Sequence, residues 1–371
     1  MASFTVSPGV TTNEIDQTFI NGQPLYPGIA LIGPTVKGPV EVPTVVTSYS
    51  DYVNKFGAVL TSGSDTYTYF TSIAAYNYFN NGGESLLVAR VVSGSFSSAD
   101  STFISGSTAG AIASGSTFTL ETLSEGVIMN SSGSVDSSGS LANGTSDNLR
   151  FEITNPSTAS GTFDLLVRRG DDNSNNKIIL ETWTGLSLDP KAENFISKII
   201  GDQVLSYNSS TNQVEVSGNY ANAPRYVRVS GISVLTPDYF DNNGNAKTAY
   251  VDFIPVAQSG SFDGADGDVK AGANFYENIN SSNSQGLGGA DYTNMISLLS
   301  NQDEYVYNIL LAPGLYNSGY ASACTAMINN SQNRGDNLLV LDLVPYASSV
   351  STVTTQAASR NTSYAASYWP W

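Results

Sequence analysis

Histidine is absent from the 371 residues, and cysteine occurs once, at Cys324. The first absence removes the imidazole base on which Ser-His-Asp and Cys-His catalysis depend. It also takes away the commonest nitrogen ligand of zinc. The single cysteine excludes a disulfide within the chain, so stability does not rest on an oxidising compartment. Cys324 itself reads as a small buried residue on a helix face. Charge is scarce too, at 13% of residues, about half the usual share. Cations are scarcer still: 15 Lys and Arg face 32 Asp and Glu, for a net charge of −17 and an isoelectric point near 4.1. Such a surface repels nucleic acid and anionic lipid, so neither is an expected partner. No apolar run approaches transmembrane length. The opening "MASFTVSPGVTTNEID" lacks the basic and apolar regions of a signal peptide.

What is present is a real core and many turns. Hydrophobic residues make up 40% of the chain, enough to argue against wholesale disorder. Gly, Ser, Thr and Asn take the place of charge and point to a β-rich component. The length leaves room for two or three domains.

Residues 1–21 alternate only in pieces and contain Pro8-Gly9, which predicts an extended arm rather than a packed element. Such an arm leaves backbone groups free to pair with another chain. From residue 22 the pattern becomes α/β. "GIALIGPT" (28–35) and "VPTVVTS" are short strands. "SYSDYVNKFG" is a short helix with Ser48 or Ser50 as N-cap and Gly57 past its end. "SDTYTYFTSIAAYNYFNNGG" predicts a longer helix capped by Asp65, with Tyr69, Ile73, Tyr76 and Phe79 at helical spacing. "SLLVARVV" (85–92) is an apolar strand of the kind buried in a parallel sheet.

Past Val92 the texture turns Ser/Gly-rich. The pieces "TFTLETL", "GVIMN", "LRFEITN", "TFDLLVRR", "KIILETW" and "PRYVRVSG" predict antiparallel strands. One helix interrupts them, "SLDPKAENFISKIIGD", with Ser187 or Asp189 as cap and Pro190 at its first position. The α/β rhythm then returns. "VDFIPVA" reads as a strand and "DYTNMISLLS" as a helix capped by Asp291. "YVYNILLAPG" reads as a strand ended by Pro313-Gly314. A helix follows with Ala323, Met327 and Ile328 inward, then the strand "NLLVLDLVP", the helix "SSVSTVTTQAASRN" and a final strand in "TSYAASYWPW". The expected fold class is α/β. A discontinuous domain (22–95 and 236–371) has a mostly parallel sheet flanked by helices, and a mainly antiparallel β domain (96–235) is inserted into it.

The chemical motifs are weak. "GPTVKGP" (33–39) is not a P-loop: the spacing is wrong, no Ser or Thr follows Lys37, and Pro39 removes an amide. It reads as a rigid strand-exit turn. Asp263, Asp266 and Asp268 lack the alternating ligands and distal Glu of an EF-hand. "GLGGAD" (286–291) resembles one calcium β-roll repeat, but such rolls need several in tandem. Paired carboxylates run glycosidases without histidine, yet 32 acidic residues bring some pair together in any fold, and "GDD" (170–172) is more simply a hairpin turn. No catalytic, cofactor-binding or metal-binding residue is assigned, and no enzyme activity is expected.

Six segments, taken in order, resemble one family: "SPGVTTNEID" (7–16), "GPTVKGPVEVPTVVTSYSDYVNKFG" (33–57), "YFNNGGESLLVARVV" (78–92), "LLAPGLYN" (310–317), "NRGDNLLVLDLVP" (333–345) and "TSYAASYWPW" (362–371). Together they resemble the tail sheath proteins of contractile-tailed bacteriophages, whose family includes R-type bacteriocin and type VI secretion sheaths. The resemblance implies a structural subunit without cofactors, stacked as hexameric rings around a tail tube. It implies contraction driven by new contacts between subunits, and terminal arms exchanged as added strands. The implied partners are neighbouring sheath subunits, the tail tube protein, the baseplate and the tail terminator. The implied place is the virion tail, assembled in the host bacterial cytoplasm. In that family a tube-facing domain follows the stretch resembling "SYAASYWPW". The resemblance therefore implies a fragment lacking this domain, poor at assembling alone, with Tyr364 and Tyr368 at least partly buried. The rival readings are a surface-exposed adhesin or fibre module and a carboxylate-based hydrolase.

Overall fold

The computed structural model describes residues 28–62, 65–105, 115–223, 225–269 and 279–370. The arm read over 1–21 lies outside them. The chain starts with β1 (Ile29–Gly33), β2 (Thr44–Val46), α1 (Tyr49–Phe56), β3 (Leu60–Ser62), β4 (Asp65–Tyr67), α2 (Phe70–Asn80) and β5 (Leu86–Arg90). Next come β6 (Ser98–Ile104), β7 (Ser116–Glu125), β8 (Leu149–Ser157), β9 (Thr162–Arg169), β10 (Ile179–Ser187), α3 (Ile196–Ile200), β11 (Val204–Asn208), β12 (Gln213–Ser217) and β13 (Val227–Ile232). It continues through α4 (Thr248–Val251), β14 (Gln258–Ser261), α5 (Thr293–Leu298), β15 (Ile309–Tyr316), α6 (Ala321–Arg334), β16 (Leu338–Asp342), α7 (Val350–Ala358) and β17 (Ala365–Ala366).

Parallel and antiparallel sheets coexist with helices, as in an α/β fold. A six-stranded sheet runs β17-β16-β15-β1-β5-β2. Its pairings are parallel except for edge strand β2, which is antiparallel to β5. The uninterrupted apolar runs of β1 and β5 follow from burial on both faces. Leu31, Leu86 and Val88 pack with Tyr52 and Phe56 of α1 and Ala75 of α2. Ala30, Leu87 and Ala89 pack on the opposite side with Met295 and Leu298 of α5 and Cys324 and Met327 of α6. The Cys324 thiol is buried, and desolvation pushes its pKa up to about 12. A thiol reagent at pH 8 is therefore expected to label it only when the chain unfolds, which a labelling time course in urea checks; fast labelling of the folded protein would contradict this burial.

The remaining strands form an antiparallel half. Sheets β10-β9-β8-β14 and β13-β7-β6 enclose one core, to which Phe103, Phe118, Phe151, Phe163 and Phe262 contribute. Alternate residues point inward, as Phe163, Leu165 and Val167 do on β9. The hairpin β11–β12 reaches back to the parallel half. Tyr207 and Val214 pack on its core, and Asn212 Nδ2 donates to Ser297 O at 3.0 Å.

Several local expectations fail, each for a tertiary reason. The helix expected from Asp65 starts at Phe70, because the alternating 65–67 stretch pairs with 60–62 as a hairpin. Its inward residues are Thr71, Ser72 and Ala75, while Ile73 and Tyr76 are exposed. Gly33 shows why: a Cβ there would lie 2.5 Å from Thr71 Oγ1. The helix lies so close to β1 that only small residues fit between them. "GVIMN" is a 3₁₀ turn over Val127–Met129, not a strand. The helix expected from residue 187 shrinks to α3. Asp189 instead accepts from Lys191 N and from the distant Tyr239 N, which holds 189–194 as turns. "VDFIPVA" is no strand: α4 ends at Val251, and Pro255 makes a lone bridge to Ser105. Beyond it β14 pairs with β8, so the antiparallel half runs on past residue 235. Pro313-Gly314 does not end β15, which continues through a register shift to Tyr316. Other expectations hold. Ser48 caps α1, its Oγ accepting from Asp51 N at 3.0 Å, and Gly57 closes it at φ 76°. Ala323, Met327 and Ile328 face inward on α6.

Candidate functional site

In open α/β sheets, ligands bind outside the carboxyl ends of the strands where the connections reverse direction. Here the reversal is at β1, with β5 on one side and β15 on the other. The chain fills this crevice itself. Tyr69, Phe96, Asp268, Gln285 and Leu287 line the small space left there. Gln285 Oε1 accepts from Phe70 N at 2.7 Å, and its Nε2 donates to Pro313 O at 3.3 Å. Ser284 Oγ donates to Gly314 O at 2.8 Å. Gly314 has φ +90°, and a Cβ on it would come within 2.8 Å of Ser284 Oγ. The bulge in β15 thus needs glycine and is pinned by two side chains.

Arg90 ends β5 and is fully buried. One terminal nitrogen donates to Gly38 O and to Glu125 O, the latter at 2.9 Å. Its guanidinium lies 5.1 Å from the centre of the Phe96 ring. Burial lowers its pKa, and the nearby Glu125 carboxyl offsets part of this. The Glu125 carboxyl is itself pushed up by burial, against the pull of Arg90. A lone charged residue closing an apolar strand was the available sequence signal for this arrangement; periodicity alone passes over it.

Lys37 of the strand-exit turn is buried, and its ammonium sits 3.3 Å from Asp147 Oδ1. Burial lowers its pKa while Asp147 raises it. The turn therefore ties β1 to the antiparallel half through its lysine. Asp263 and Asp266 use their backbones, Asp263 pairing with Asp100 and Asp266 with Ser97. Asp291 sits inside a short turn, where Oδ2 accepts from Gly288 N at 2.8 Å. No cluster of three or more His, Cys, Asp or Glu able to hold a metal ion occurs among the described residues.

The turn at 170–172 proves richer than its motif. Asp172 is buried and takes Arg168 Nε on one oxygen at 2.7 Å and Arg150 on the other at 3.2 Å. Ile178 N also donates to it, at 2.9 Å. Glu152 joins Arg168 to Lys177, both at 2.8 Å. Every charge here has a partner of opposite sign within the hairpin, so the cluster organises the fold.

The open end of the six-stranded sheet is the remaining feature. β17 pairs with β16 through Ala365 and Ala366 alone, and it has no outer strand neighbour among the described residues. Parallel pairing brings the segments after β16 and β17 to the same end of the sheet. There Tyr346, Val350 and Tyr368 are 79%, 60% and 74% exposed. Tyr364, just before β17, is half-buried as expected, but the exposure of Tyr368 overturns its expected burial: the strand stops at Ala366, before Tyr368 and Trp369. α7 buries no residue. It is held by Arg360, which donates to Asn317 Oδ1 and Thr325 Oγ1, both at 2.8 Å. A groove with about 410 Å³ of free space, lined by Ile328, Leu341, Ala357 and Ala366, runs beside the edge.

No family model matches the chain, and no curated protein matches it. Solved structures similar to it include two sheath tail proteins. One is a sheath tail protein of Listeria innocua, with a TM-score of 0.42 and 11% identity, covering 85% of this chain and 47% of that one. The other is a sheath tail protein of Desulfitobacterium hafniense, with a TM-score of 0.34 and 13% identity, covering 90% and 52%. The chain thus spans about half the length of each.

Proposed function

We propose that the chain is a structural subunit of a contractile phage tail sheath. It polymerises as stacked hexameric rings around a tail tube and contracts to drive the tube through the host envelope. One observation carries this reading. Five of the six family-like segments lie among the described residues, apart from Trp371. All five fall on the six-stranded sheet, its connections and its helices: 33–57 on the β1 exit, β2 and α1; 78–92 on the end of α2 and β5; 310–317 on β15; 333–345 on the end of α6 and β16; 362–370 on β17. Pieces scattered over the chain resemble one family and also build one unit.

On this reading the parallel half is the discontinuous sheath core, and the antiparallel half is an outer domain inserted from about residue 96 to about residue 265. The free edge at β17 receives an arm from a neighbouring subunit by strand addition. Repeating such a contact head-to-tail gives an open helical array. Contraction is a shift between two packings and needs no hydrolysis of nucleotide. The partners are neighbouring subunits, the tube protein, the baseplate and the tail terminator, in a virion tail assembled in the host cytoplasm. The protein is not an enzyme.

Electron microscopy of the full-length protein at high concentration tests this. Sleeves or regular tubes are expected. A protein that stays monomeric under those conditions would sink the reading.

A further inference from the structure

We infer that Arg90 is the joint that registers the antiparallel half on the parallel sheet, so that the two halves behave as one body. This does not depend on the sheath reading. Arg90 pairs in register with Gly33 and ends the strand from which the chain crosses into the antiparallel half. Its guanidinium bonds a carbonyl on each side: Gly38 in the exit turn of β1 and Glu125 at the end of β7. Those two residues are themselves joined, Glu125 N donating to Gly38 O at 3.2 Å. The Phe96 ring under the guanidinium is gripped from the antiparallel half. A Cβ on Gly126 would approach it to 3.0 Å, and one on Gly267 to 2.3 Å. Lys37, next to Gly38, bonds Asp147 across the same seam.

The arginine is not there for simple stability. Among the described residues its Nε and second terminal nitrogen have no acceptor, and no carboxylate forms an ion pair with it. A buried charge so incompletely paired costs free energy. What it supplies is geometry: a single terminal nitrogen, held by the planar guanidinium, meets both carbonyls only when the halves sit in one relative position. An uncharged side chain of similar length fills the volume and loses that selection.

The two halves carry separate reporters. Trp183 on β10 reports the antiparallel half once Trp369 and Trp371 are replaced by phenylalanine, and Cys324 labelling reports the parallel half. In urea the parent protein is expected to show one transition by both probes. Arg90→Met should split them, the midpoints parting by more than about 0.5 M. Arg168→Met, which weakens the antiparallel half from within, should lower both midpoints together because the joint is intact. If Arg90→Met does not fold, Phe96→Leu makes the same test with the arginine kept. Coincident transitions in the Arg90 and Phe96 variants, or a parent that already unfolds in two steps, would overturn the inference.

Discussion

Asp172→Ala is expected to lower stability by ~3–5 kcal/mol, the usual result of removing one partner from a buried ion pair. With the two halves unfolding as one body, the melting temperature should fall by about 5 °C. The reason is the company Asp172 keeps. Arg150 and Arg168 have side chains only 3% exposed, and the carboxylate they share is wholly buried. Without it Arg168 keeps Glu152 at 2.8 Å, but Arg150 keeps only carbonyl oxygens, of Gly139 and Asp172. The Ile178 amide loses its acceptor as well. A second variant separates unpaired charge from lost volume. In Arg150→Met/Arg168→Met/Asp172→Leu no uncompensated charge remains, since Glu152 still holds Lys177. That triple variant should be more stable than Asp172→Ala, because well-packed apolar replacements of buried ion pairs are often neutral. Thermal unfolding followed by circular dichroism measures both, and a triple variant less stable than the single one would refute the account.

Phe118→Ala should cost a similar ~3–5 kcal/mol, through lost burial and the cavity left behind. Phe118 stacks on Phe103 at 4.4 Å within its own sheet and on Phe163 at 5.5 Å in the facing one. Phe103 in turn touches Phe151 at 4.3 Å. These rings are the contact between the two antiparallel sheets, and stacking adds to the area they bury. Phe118→Leu should cost about 1–2 kcal/mol, since most of the volume stays filled. Urea titration read by Trp183 fluorescence compares the two. Equal losses would mean that the site collapses around any replacement and that ring stacking counts for little.

Both predictions rest on residues whose importance pattern-reading grades unevenly. Phe118 lies in the alternating strand "TFTLETL", so its inward direction follows from period two and was legible. The Asp172 cluster was not. Its members lie at 150, 152, 168, 172 and 177, and only the pairing of β8 with β9 places Arg150 opposite Arg168. "GDD" reads as a turn whether or not a buried carboxylate anchors it. Asp189 teaches the same lesson. Its position before Pro190 has the form of a helix cap, and one oxygen does accept from Lys191 N, but the other is engaged by the distant Tyr239 N. Ile73 and Tyr76 have helical spacing and still face outward, because glycine at 33 lets the small side of α2 approach β1.

What the amino-acid sequence determined by itself was local or compositional. The absence of histidine removed whole classes of chemistry before any fold was known. Ser48 and Gly57 bounded α1, because a cap acts on amides three residues away. Apolar runs announced the strands of a two-sided sheet. The tertiary structure decided which side of α2 is inside, where the antiparallel half ends, that Lys37 and Arg90 sit in the seam, and that β17 stops before Tyr368. Each of these depends on a partner tens to hundreds of residues away, and neither period nor propensity carries the identity of a distant partner.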